Sequence, residues 1–585
     1  MYTLIYIEMR HLLFFYTLLI FFFTLPLSAQ DNAHLFPAPS YVESLMPQNP
    51  KYEVRAVWLT TISGLDWPSV YAKSENTVRK QQKDLCDILD RLQQAGINTV
   101  LLQTRVRATT IYPSQYEPWD ACLTGTATKS PGYDPLAFAI EECHKRGMEL
   151  HAWVVTIPVG KWSSAGCTRI RKKYPSLIKK IGDEGYMNPE MAQTSRYLAD
   201  ICDEIASNYD VDGIHLDYIR YPETWKIKVS KAQGRRNITA IVTAISQRVK
   251  ARKPWIKMSC SPIGKHDDLS RYRSGGWNAR TTVCQDAQEW LRTGLMDQLY
   301  PMMYFQGNNF YPFAIDWKEN CFGRMVVPGL GIYFMSPKEK NWPLETITRE
   351  MQVLRQLDMG HAYFRSRFFT DNTKGLFDFA RHRFDNTPAL IPPMKWMHDK
   401  APGEPQQLNI DEERSLLSWT KATDYSDAPY LLYNVYASQE WPVDVESPNH
   451  LMAARLRQTS AKIPLAMKKG NGAQPVYYAV TAVDRYGNES KPAQSHHFDA
   501  PKRTADIPQG LLNCDGSRLQ LPRIDPQIDA PLVVIATMQG KPVKTIRKSE
   551  ATVDVKNLPE GIYQLRSLNR KGTTHRLGFF MIRRR

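Results

Sequence analysis

The chain has 585 residues, 43% hydrophobic and 23% charged, a composition ordinary for globular protein and long enough for one large barrel with appended modules. The formal net charge is +16, from 75 Lys+Arg against 59 Asp+Glu. Residues 501–585 hold 16 of the cations and only 7 of the acids. Such a surplus can attract an anionic glycan or the cell envelope. Nucleic acid is not expected as a partner, because an export signal opens the chain and no aromatic-basic recognition module follows. The nine cysteines form no CxxC pair, which argues against a disulfide framework or a zinc site, and neither metal nor cofactor is expected.

Arg10 and His11 precede an apolar run over 12–25, and Pro26-Leu27-Ser28-Ala29 offers small residues for cleavage. Residues 1–29 read as a secretory signal peptide, so the protein is expected to be exported, to the periplasm or the cell surface. No later stretch reaches 18 uncharged apolar residues, so no membrane span is expected after cleavage.

From Glu53 a strand-then-helix rhythm starts and runs to about residue 385. Strands are predicted at 54–59, 99–103, 149–155, 213–217, 257–261, 298–303, 325–329 and 361–364. Amphipathic helical patterns lie between them, clearest at 77–95, 135–146, 197–206, 238–249 and 347–357. Eight such repeats fit an α/β fold of the (β/α)8 type, here over 30–395. A doubly wound sheet is the alternative, but no GxGxxG turn follows the first strand.

Pro388, Pro392 and Pro393 end the barrel, and Pro402, Gly403 and Pro405 open an all-β stretch over 400–500. Its early Trp419, the run YYAVTAV at 477–483 and the polar turn after it resemble a fibronectin type III sandwich. Residues 501–585 read as a second small all-β sandwich-like domain, basic in charge, with strands at 532–537, 543–546, 551–555 and 561–568.

Strand periodicity singles out the segment DGIHLDYIRYP at 212–222. Side chains alternate between faces, so His215 and Asp217 point one way and Asp217 stands at the strand's C-terminal tip. That tip is where (β/α)8 enzymes keep their chemistry. Three further stretches, EVRAVWLTTISGLDWP from Glu53, QTRVRATTIYPSQYEPW from Gln103 and PGYDPLAFAIEECHKRGMELHAW after it, complete a pattern that resembles glycosyl-hydrolase-like family 10. The resemblance spans about residues 50–385. It implies an exported glycoside hydrolase, with peptidoglycan glycan strands among its substrates, and Asp217 as the match to the family's Asp.

Glycosidases need two carboxylates flanking the scissile bond. Asp217 is the first, as nucleophile or base. The acid is Asp286, which opens a helix and could equally serve as its N-cap, or Glu223 in the loop past Asp217. Asp267 and Asp268 lie among cations that would pair them. Trp58, Arg105, His151, Trp153, His215, Arg220 and Tyr304 fall at predicted strand tips and are the candidate substrate contacts. Family members that carry an acid after the second strand differ from this chain, which has Thr109 there, and Val155-Thr156 replaces their Asn-Pro. These departures leave a non-catalytic, carbohydrate-binding or envelope-scaffold protein on a degenerate barrel as the alternative. No GxSxG elbow, P-loop or HExxH motif supports other chemistry.

Overall fold

A computed structural model describes residues 49–270, 272, 276–411, 413–463, 476–495, 512, 514, 517–522, 531–538, 540–547, 550–569 and 574–583. The predicted signal peptide lies outside the described residues. The chain divides into two compact units, Met1–Ser495 and His496–Arg585.

The first unit is built on parallel strands β1 (Arg55–Leu59), β2 (Thr99–Arg105), β3 (Glu149–Val155), β4 (Gly213–Asp217), β5 (Lys257–Cys260) and β6 (Gln298–Leu299). β7 is split into Met325–Val326 and Gly329–Leu330, and β8 is His361–Tyr363. The first part of β7 pairs with β6 and the second with β8, while β8 pairs with β1. The ring of strands therefore closes. Pro328 lies at the break, where a missing N–H interrupts the ladder. Every residue of β1 to β5 is buried, as expected for strands covered by helices outside and packed side chains inside.

Predicted and observed elements agree in kind and differ at their ends. Strand six was expected to run to residue 303, but the ladder stops at Leu299 and resumes only as an isolated bridge at Met302. The helices run longer than their apolar stripes, for example Ala192–Asn208 and Lys231–Arg252, because polar flanking turns carry no periodic signal. Helix Glu75–Gln94 shows the local logic. Ser74 caps its N-terminus in a capping box, and Leu85, Leu89 and Leu92 form the buried stripe. Each of those leucines contributes roughly 1.5–3 kcal/mol by leaving water, and Leu89→Ala would remove about 2–5 kcal/mol.

Between β3 and helix Ala192–Asn208 the chain inserts a small antiparallel sheet of Pro158–Lys161, Ile178–Ile181 and Glu184–Met187, with helix Ala165–Lys173 between its first two strands. The sequence reading did not anticipate it, because strands of four residues carry too little periodicity.

Residues Gln406–Asp411, Leu416–Thr420 and Ser460–Lys462 form a three-stranded sheet. A four-stranded sheet, in the order Leu451–Leu456, Leu432–Ser438, Tyr477–Val483, Ala493–Gln494, faces it around Leu417, Trp419, Tyr433 and Val480. These strands adjoin the N-terminal end of the barrel. Arg455 reaches Glu149 at 3.0 Å and Asp212 at 2.6 Å, and Arg485 pairs with Asp212 at 3.2 Å.

In the second unit, Pro542–Arg547, Leu532–Thr537, Gly561–Leu568 and Thr574–Ile582 form an antiparallel sheet, and Arg518–Gln520 pairs with Thr552–Asp554. Val533, Ile535, Leu565 and Phe580 fill its core. The nine cysteines carry free thiols. Among the described residues no helix is long and apolar enough to cross a membrane.

Candidate active site

The interior of the barrel is layered by strand periodicity. Glu149 and His151, then His215 and Ser259, then Asp217 and Ser261 rise from the N-terminal end toward the rim.

The lowest layer is structural. Glu149 accepts from Lys257 at 2.7 Å and from Arg455 at 3.0 Å. Burial pushes its carboxyl up, but Lys257 and Arg455 outweigh that and hold it down at about 2. His151 is fully buried and bonds Glu149 through Nε2 at 3.1 Å, lying against Gly213, where any side chain would strike its ring. The structure therefore places His151 in the barrel floor, away from the rim. Its face was legible in the sequence and its depth was not.

In the middle layer Trp58 donates its indole N–H to His215 Nε2 at 3.3 Å. Because an indole only donates, Nε2 is the acceptor, and Nδ1 carries the proton toward Ser259 Oγ at 3.0 Å. Burial drives the His215 pKa well below its ordinary value, so the ring stays neutral. Trp58 and His215 pack against Tyr300 and support the rim from beneath.

Asp217 forms the top layer. Its Oδ1 accepts from Ser261 Oγ at 2.8 Å and from the Tyr218 amide at 2.8 Å, and its Oδ2 accepts from Trp153 Nε1 at 3.1 Å. Thr156 holds the Asp217 carbonyl through its amide at 2.9 Å and its hydroxyl at 2.8 Å. The chain then turns at once, with Tyr218 in the left-handed region at φ 51°, an uncommon conformation for an aromatic residue. Burial raises the Asp217 pKa, opposed by the hydrogen bonds from Ser261, Tyr218 and Trp153 and by the charge of Arg220. Tyr304 is half-buried near this carboxyl, and burial together with the Asp217 charge lifts its phenol well above the ordinary range.

Arg220 is buried between two rings, 4.4 Å from the Tyr218 centroid and 5.2 Å from that of Trp277, which is 39% exposed. Its Nη2 donates to Glu223 at 2.7 Å, and its buried Nε has no hydrogen-bond partner among the described residues. Glu223 is partly exposed beside it. Asp217, Trp153, Tyr218, Arg220, Glu223, Trp277 and Tyr304 thus form one neighbourhood.

The remaining candidates lie elsewhere. Asp286 occupies the N-cap position of helix Ala287–Arg292 but accepts no cap hydrogen bond. It faces Arg235 at 3.5 Å, Arg280 at 3.6 Å and His266 at 3.7 Å, on a groove beside helix Lys231–Arg252. None of these contacts Asp217. Arg105 is fully buried and clamps Glu117 with two bonds of 2.7 Å, while its Nη1 reaches the carbonyls of Val155 and Thr156. It braces the rim loops. Asp267 pairs with Arg280 at 2.9 Å, a cation 13 residues further along the chain. Thr109 donates to Asp120 at 2.5 Å. The sequence reading passed over Ser261 and Trp277. Ser261 could have been found, since it lies two residues beyond Ser259 on a predicted strand.

A closed (β/α)8 barrel with a buried carboxylate, aromatic rings and a buried arginine at its C-terminal rim is an architecture that glycoside hydrolases use. The glycosyl hydrolase-like 10 family model matches residues 53–233 and 228–333, and the chain belongs to that family. It is similar to glycosyl hydrolase YngK of Bacillus subtilis (strain 168), 28% identical over 487 residues, covering 75% of this chain and 92% of the relative. Glycosyl hydrolase DigH of Escherichia coli (strain K12) is 31% identical over 294 residues, 44% of this chain and 67% of that one. Among solved structures, the PgaB (BpsB) glycoside hydrolase domain from Bordetella bronchiseptica shares 12% identity over 56% of this chain and 98% of its own, with a TM-score of 0.41. Dispersin B, at 12% identity, covers 56% of this chain and 99% of its own, with a TM-score of 0.34.

Proposed function

We propose that the barrel hydrolyses glycosidic bonds of a polysaccharide, with Asp217 as the proton donor. The observation that carries this reading is a buried carboxyl at the tip of β4, held by three hydrogen bonds, with its pKa raised by burial. Burial raises the Asp217 pKa above the ordinary carboxylate value, the direction that suits a general acid better than a nucleophile, and this favours the reverse of the roles expected from sequence. Glu223 is the carboxylate that shares its loop, and it is the proposed base or nucleophile. The exposed part of Trp277 would hold a sugar ring. Peptidoglycan glycan strands are among the substrates proposed.

The 400–500 region is proposed as a fibronectin type III-like module, supported by its three-plus-four strand order and its Trp419–Tyr433 packing. Export is proposed from the apolar run and small-residue site at 12–29.

A non-catalytic glycan-binding barrel is the second reading. It is favoured by one observation: Glu223, the other carboxylate of this loop, is already paired with Arg220 at 2.7 Å. The test is release of new reducing ends from peptidoglycan sacculi and a glycan panel by the wild type, Asp217→Asn and Glu223→Gln. Release by the wild type and loss in Asp217→Asn are expected. Equal release by all three would overturn the assignment, and binding without release from any glycan would establish the second reading.

A further inference from the structure

Residues 150–182 contain seven Lys and Arg and no Asp or Glu. This stretch holds the end of β3 and most of the inserted sheet and helix. Lys161, Arg169, Lys172, Lys173 and Lys180 are exposed. Among the described residues no ion pair involves any of the seven, whereas surface lysines on other helices, such as Lys80 and Lys83, pair with acids one turn away. The concentration is therefore local, and Asp183 and Glu184, in the turn and strand that follow, leave the insertion with a net positive charge. Two of its cations lie over indoles, Arg171 3.8 Å from the Trp162 centroid and Lys179 4.4 Å from that of Trp225.

The insertion is tied to the candidate site at both ends. It begins two residues after Thr156, which holds the carbonyl of Asp217. At its far end the amide of Met187 bonds the Ile157 carbonyl, and Tyr186 meets Trp225 edge-on at 6.5 Å. Trp225 follows Glu223 by two residues in the loop that carries Asp217 and Arg220. A chain lying across the rim would therefore run from the Trp225 side directly onto these cations.

We propose that this insertion is the docking surface for a polyanionic glycan, one bearing a carboxylate or sulfate on recurring sugar units. The inference takes from the proposed function only that a glycan enters this rim. Cations clustered in one insertion and free of ion pairs raise the local concentration of a polyanion and hold it through charge-assisted bonds. A neutral glycan would gain nothing from the seven charges, and selection for charge would follow from them alone.

The test measures binding of the full chain to polygalacturonate, dextran sulfate and uncharged dextran, at about 50 mM and about 300 mM salt, where screening differs several-fold. The variant Lys172→Glu/Lys173→Glu/Lys180→Glu is compared with Lys541→Glu/Lys544→Glu, which removes the same kind of charge from the basic C-terminal unit. Both acidic glycans are expected to bind and dextran to bind far more weakly. The triple variant should bind at least about tenfold more weakly with a shallower salt dependence, at an unchanged thermal midpoint, while the C-terminal variant binds as the wild type does. Asp217→Asn should bind as tightly as the wild type, so a failure of catalysis would leave this inference standing. Unchanged binding in the triple variant would overturn it, as would equal affinity for dextran. Tighter binding to single-stranded DNA or to phosphatidylglycerol vesicles than to polygalacturonate would overturn it as well.

Discussion

Arg455, on a strand of the 400–500 region, lies 3.0 Å from Glu149 at the foot of β3, and its other nitrogen lies 2.6 Å from Asp212. Both carboxylates are buried, and Lys257 meets the same Glu149 oxygen at 2.7 Å. The appended β region therefore supplies a counter-ion to the floor of the barrel and acts as more than a tether. Removing one partner of a buried charge network leaves an uncompensated charge, at a cost of about 3–5 kcal/mol. Arg455→Ala is expected to lower stability by that order in denaturant unfolding, and Arg455→Lys by less.

The same network sets an acid limit. The Glu149 carboxyl is held at about 2 in the folded chain against an ordinary 4.5. A depressed carboxylate contributes stability that is present above the ordinary value and is lost as pH falls toward the folded one. Thermal midpoints should therefore fall between about pH 4.5 and pH 2, and this fall should be shallower in Glu149→Gln.

Glu350 produces the opposite slope. It is buried on helix Leu344–Gln356 with neither carboxyl oxygen hydrogen-bonded among the described residues, and burial pushes its pKa up to about 9. The folded chain keeps this proton while the unfolded chain releases it above pH 4.5, so stability declines as pH rises from there to about 9. The decline is at most on the order of 1.4 kcal/mol per pH unit. Glu350→Gln should raise the thermal midpoint at pH 8 and match the wild type near pH 4.

Ser261 bonds the ionised form of Asp217 and so lowers its pKa against the pull of burial. With Asp217 as the acid, activity is lost as pH rises through its pKa. Ser261→Ala is expected to move the alkaline limb of the kcat profile to higher pH, with no comparable shift in a control such as Lys80→Ala. A limb that stays in place would separate Ser261 from the chemistry.

Thr156 acts on Asp217 through the main chain. Thr156→Val removes the hydroxyl and keeps the amide bond, costing about 1 kcal/mol of stability. Loss of position should appear in kcat more than in KM, and Thr156→Ser should restore it.

Trp277→Ala removes the exposed ring over Arg220. KM for a polymeric glycan should rise several-fold, with a smaller change in kcat.

The eight-strand rhythm, the interior-facing set His215 and Asp217, and the rim position of Asp217 were legible in the sequence, because strand periodicity and helix amphipathicity are local properties. Depth along the barrel axis was not. Register between strands decides that His151 is floor and Asp217 is rim, and it is set by packing among residues far apart in the chain. Partners were equally hidden. Arg105 resembled a sugar contact until Glu117 closed on it, and Asp286 resembled a second acid until Arg235, Arg280 and His266 surrounded it. Which carboxyl keeps its proton is decided by burial and by neighbours, and only the tertiary structure brings those together.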